Sequence, residues 1–147
     1  METQLARGGR IVVGVDRSDS AKAALAWAVR QAGLTGAEVD AVAAWLPLVQ
    51  FGWAPPYDGP GPREAAEAAL DEAIDDVRLE ALGVVIRPVV VRENAARALL
   101  DAAKDADLLV VGSRGHSGFT EALLGSVGQH CVHHARCPVV VVRTPHD

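Results

Sequence analysis

The residues best suited to chemistry gather in one stretch, GSRGHSGFTEALLGSV, at residues 112–127. Glycines fall at Gly112, Gly115, Gly118 and Gly125, and Ser126 follows the last of them. Glycine lets the main chain take positive φ and come close to a ligand, and a helix N-terminus beyond it adds oriented N–H donors and partial positive charge. That combination suits a phosphate. Arg114 and His116 lie inside the stretch and lend it positive charge. Ser126 has a plainer role as a helix N-cap, which it can fill while its hydroxyl binds phosphate. Asp16, which closes the apolar run at residues 10–15, has two readings. It either helps to cap the next helix or receives hydrogen bonds from the ligand, and we favour ligand contact.

Enzyme machinery is harder to find. The loop lacks the GxxxxGK[ST] pattern whose lysine reaches the β- and γ-phosphates, and Gly115-His116-Ser117-Gly118 is not the GxSxG elbow of a serine hydrolase. No paired carboxylates stand out, so no catalytic residue is assigned. His130 and His134 stand i and i+4 on one helix face, a spacing that can chelate, but no carboxylate or second cysteine pair completes a set. The expectation is no metal, with the histidines complementing a helix C-terminus. Cys131 and Cys137 are expected to be reduced thiols.

The elements that position the loop follow from hydropathy. Apolar β-branched runs predict strands at 10–15, 38–45, 84–91, 107–111 and 138–143. Between them, apolar stripes at helical spacing predict a helix capped by Ser18 or Asp19 and ending near Gly33, one at 63–82 ended by Gly83, one at 95–104 capped by Asn94, and one at 124–134. Residues 46–62, with Pro47, Pro55, Pro56, Pro60 and Pro62, form an irregular loop that also carries Phe51, Trp53 and Tyr57. It is read as a surface loop whose rings tuck onto the domain, with a lid over the ligand as the alternative. Five strands alternating with four helices give an α/β fold, a Rossmann-like parallel sheet with helices on both faces. Ligands of such sheets lie beyond the carboxyl ends of the strands, where the strand order reverses.

Gly112, two residues, Gly115, nine residues, then Gly125-Ser126 resembles the nucleotide-binding pattern of the ATP-binding branch of the universal stress protein family. The likeness extends to IVVGVDRSDSAKAALAWA at 11–28, ADLLVVGSRG at 106–115 and LLGSVGQHCVHHARCPVVVV at 123–142. It implies the strand order 3-2-1-4-5 of the adenine nucleotide alpha hydrolase-like fold, which brings Asp16 and Gly112 to one crevice. It also implies that the main chain at Gly14 and Ala44 lines an adenine pocket and that Asp16 meets the adenosine moiety. Backbone amides at Gly112, Gly115, Gly125, Ser126 and Val127, with the Ser126 hydroxyl, would then meet the phosphates, and Arg114 would add charge. The implied ligand is ATP, with or without Mg2+; AMP, ADP and cyclic nucleotides stay open. Two positions depart from the family pattern, Arg17 and Glu93, where many relatives have glycine. Arg17 could aid a phosphate, and Glu93 would repel one if it lay close.

Length and charge bound the remaining choices. The 147 residues, half of them apolar, make one domain at 10–147 behind a flexible tail at 1–9. A net charge of −5 with scattered cations speaks against nucleic acid as a partner, and the apolar runs are too short for a membrane helix, so a cytoplasmic protein is expected. The expected role is regulatory or stress-related nucleotide binding, with at most slow ATP hydrolysis. Alternatives are a ligand-free dimeric interaction module and an adenylyl-type enzyme or hydrolase using the same crevice. The last strand is apolar on both faces and lies at the sheet edge, so a homodimer joined through residues 138–143 is expected, as the resemblance also implies.

Overall fold

A computed structural model describes residues 8–48, 59–114 and 125–144. The elements alternate as β1 (Arg10–Gly14), α1 (Asp19–Thr35), β2 (Glu38–Trp45), α2 (Pro62–Val77), β3 (Ile86–Arg92), α3 (Ala95–Ala102), β4 (Leu108–Gly112), α4 (Ser126–His134) and β5 (Val139–Val142). All strand pairs are parallel, in the order β3-β2-β1-β4-β5 expected above.

Strand alternation sorts the core into two layers. Val13, Ala41 and Val110 pack with Leu25 and Val29 of α1 and Leu70 of α2. On the other face Val12, Val42 and Leu109 pack with Leu99 of α3 and Cys131 of α4. The sheet is thus doubly wound, with a pair of helices on each face. At its amino end Asp40 is bracketed by two guanidinium groups: Arg10 Nη1 donates to Oδ2 and Arg87 Nε to Oδ1, both at 2.9 Å. Arg10 Nη1 also reaches the Ala102 carbonyl that ends α3, and Arg87 Nη1 reaches Glu38.

Helix ends differ from expectation, with α3 stopping at Ala102 rather than 104 and larger departures at α1 and α2. α1 runs past Gly33 to Thr35 because Gly36, at φ 79°, takes the left-handed C-cap conformation and donates its N–H to Ala32 O. α2 stops at Val77, short of 82. Beyond it the chain tightens into i→i+3 bonds, Arg78 N to Asp75 O and Ala81 N to Arg78 O, because the apolar stripe that held α2 to the sheet runs out and Leu79 and Leu82 are left exposed. Residues 1–7 of the expected tail and 49–58 of the aromatic loop, with Phe51, Trp53 and Tyr57, lie outside the described residues. Among the described residues no helix is long and apolar enough to cross a membrane.

Candidate functional site

The strand order reverses between β1 and β4, and a crevice opens there beyond their carboxyl ends, enclosing about 600 Å³ including the part open to solvent. β1 contributes Gly14 with the following Asp16, β2 contributes Val42 and Ala44, and β4 contributes Val111 and Gly112 with the following Arg114. Leu99 of α3 forms one flank, and the start of α4 closes another through Gly125, Val127 and Gly128. The crevice thus joins Gly14, Asp16, Ala44, Gly112, Arg114, Gly125 and Val127 from the sequence reading. Ser126 is exposed at the first turn of α4 and is not part of its wall, while Gly115, His116 and Gly118 lie outside the described residues.

Asp16 does not cap α1 directly. Ser18 is the N-cap, its hydroxyl accepting from Ala21 N at 3.1 Å, and Asp16 Oδ1 accepts from both the N–H and the hydroxyl of Ser18. One carboxylate oxygen therefore orients the capping serine; Oδ2 takes no part in that turn.

The opposite wall is held by main-chain bonds. Ser113 N donates to Val142 O of β5, and Gly125 N donates to Ser113 O at 2.8 Å, which ties the start of α4 to the end of β4. Gly125, rather than Ser126, is the N-cap of α4, and as a glycine it brings no side-chain cap. The Gly125 amide is thus engaged with the end of β4. The donors that α4 turns outward are those of its first turn, beginning with Ser126 and Val127, which have no intrahelical acceptor.

Positive φ is not why glycine stands at positions 14, 112 and 125, since all three lack it. Close approach is. A Cβ on Gly112 would lie 2.6 Å from Ser20 Oγ and 2.7 Å from the Ser20 carbonyl carbon, so α1 packs directly on the end of β4. A Cβ on Gly14 would lie 2.8 Å from Leu99 Cδ1, the crevice flank supplied by α3.

The positions that depart from the family pattern are also placed. Arg17 is exposed and lines a neighbouring hollow with Trp45 and the alanines of α2, not the crevice. Glu93 is not part of the crevice wall, and its carboxylate accepts from Asn94 N at the start of α3. The rings of His130 and His134 on α4 meet at a tilt of 38°, with centroids 4.5 Å apart. Among the described residues no three His, Cys, Asp or Glu side chains cluster as a metal site would require. Cys131 and Cys137 are free thiols. Burial, and secondarily Cys137, push the Cys131 thiol from 9.0 up to about 11, so it stays protonated and packs as a small apolar group.

Sequence reading missed Ser20, Val42 and Leu99. The last two were visible only as core residues of β2 and α3. Ser20 is a polar residue among alanines near the start of α1, and its burial was the missing signal.

A doubly wound sheet with a glycine-lined crevice at the switch point defines a class of nucleotide-type binding folds. The sequence profile of the universal stress protein family matches residues 9–143, and the chain belongs to that family. A universal stress protein of Mycobacterium tuberculosis is 37% identical over 133 residues, covering 90% of this chain and 44% of that protein, so the chain spans less than half the length of this relative. Among solved structures, a universal stress protein in complex with cAMP is 30% identical with a TM-score of 0.69, covering 92% of this chain and 96% of that one. One from Archaeoglobus fulgidus in complex with dAMP is 27% identical with a TM-score of 0.66, covering 90% and 96%.

Proposed function

We propose that this chain is a regulatory adenine-nucleotide-binding protein that works in the cytoplasm, takes ATP or a smaller adenine nucleotide in the switch-point crevice, and hydrolyses ATP slowly at most. The observation that carries this reading is the meeting of Asp16 and Ala44 on one side of the crevice with the first turn of α4 on the other. A nucleoside has hydroxyls for an aspartate and a flat base for small apolar walls; a phosphate takes up helix N-terminal amides. The relatives solved with cAMP and dAMP support the same class of ligand. Gly14, Asp16 and Ala44 would serve the nucleoside. Gly112, Arg114 and Gly115, with Gly125, Ser126 and Val127, would shape or contact the phosphate side, and Mg2+ would accompany a triphosphate. Mass spectrometry of small molecules released on denaturing the purified protein tests the reading. An adenine nucleotide in stoichiometric amount is expected, and a protein that neither carries nor takes up one refutes it.

The protein is further proposed to be a homodimer joined through β5. The two sheet edges differ: β3 carries Arg87, Pro88 and Arg92, whereas β5 is Val139–Val142 with no charge or proline to discourage pairing. A second β5 about a twofold axis would satisfy its outer N–H and C=O groups. Light scattering should give the mass of two chains at micromolar concentration, and Val141→Pro should reduce it to one.

A further inference from the structure

Ser20 lies behind the crevice, almost wholly buried, near the N-terminus of α1. Its hydroxyl accepts from Arg114 N at 3.2 Å and donates to Arg114 O, 94 residues away in sequence. A serine hydroxyl has one proton, and here that proton is used on the carbonyl while a lone pair takes the amide. Both main-chain polar groups of residue 114 are therefore held by a single side chain. The neighbouring Ser18 hydroxyl is 3.5 Å away but donates its hydrogen bond to Asp16, so the two serines act side by side rather than as a relay.

The surrounding contacts give this clasp its reach. The missing side chain of Gly112 is what lets Ser20 come this close to β4. Residue 113, next in the chain to the clasped Arg114, holds β5 through its N–H and the start of α4 through its carbonyl. The first turn of α1 thus supports both walls, Ser18 arranging Asp16 on the nucleoside side and Ser20 fixing residues 113–114 on the phosphate side. We infer that Ser20 is a positioning residue that sets the phosphate-binding wall without touching the ligand, so that its loss removes phosphate-dependent affinity and spares nucleoside affinity. The inference rests on the nucleotide reading above.

The test is calorimetric titration of the wild type and Ser20→Ala with AMP and, separately, adenosine. Losing the clasp should weaken AMP about tenfold, the effect of one or two ordinary hydrogen bonds, while adenosine changes by less than about twofold. Ser20→Thr, which keeps the hydroxyl, should restore AMP affinity. A purely structural role would lower the melting temperature and move both ligands together; an unchanged ratio of AMP to adenosine affinity in Ser20→Ala, with wild-type binding intact, overturns the inference alone. A wild type that binds neither compound ends the nucleotide reading and this inference with it. If Ser20→Ala fails to fold, amide exchange at Arg114 in the wild type decides. Protection that rises with AMP but not with adenosine supports the role, and equal protection with both overturns it.

Discussion

At the amino ends of β1, β2 and β3 side chain meets side chain: Asp40 takes one guanidinium on each oxygen, and Glu38 takes a second bond from Arg87. At the carboxyl ends the bonds run largely to main chain. Ser113 bonds Val142 and Gly125, Ser20 bonds Arg114, and glycine at 112 makes room for the approach. Charged groups satisfied by each other have little left for a ligand, whereas a wall of small residues and helix N-terminal amides keeps its polarity directed outward. The difference separates holding the sheet from binding to it.

That separation breaks most severely at Gly112. Gly112→Val drives a side chain into the Ser20 main chain, and should lower stability by about 3 kcal/mol or prevent folding, read as a loss of melting temperature before any ligand is added. Asp40→Ala leaves Arg10 and Arg87 facing each other without their shared carboxylate; partial exposure of the pair tempers the loss to about 2 kcal/mol in chemical denaturation. Nucleotide affinity should not change in that variant.

Cys131 sharpens the picture by pH. Its thiol ionises at about 11 in the folded chain and near 9.0 when unfolded, so above pH 9 the unfolded state loses protons first and stability falls. The fall between pH 9 and 11 amounts to about 2 kcal/mol at most, and a melting series in Cys131→Ala should show it blunted.

Much of this was legible in the sequence because the fold is written in periodicity. The β-branched runs at residues 10–14 and 108–112 and the alanine stripe from Ala21 to Ala32 have no other stable use than a buried parallel strand or a sheet-facing helix. Helix ends were less legible. Where α2 stops depends on whether Leu79 and Leu82 find a surface to cover, which is a tertiary matter. The glycine spacing pointed to the crevice but not to its reason: Gly112 reads like a ligand-facing glycine, yet its absent Cβ faces Ser20. Likewise Ser20 and Ser18 look equivalent in DRSDS, and only burial and long-range partners separate a clasp from a helix cap.

The crevice as an adenine-nucleotide site is tested most directly by one measurement. Asp16→Ala and Asp40→Ala are titrated side by side with AMP after bound nucleotide has been stripped. Asp16→Ala should lose about 1–3 kcal/mol of binding free energy, while Asp40→Ala, though less stable, should bind as the wild type does. Equal affinity in Asp16→Ala and the wild type, or a loss that follows stability in both variants alike, would contradict the account.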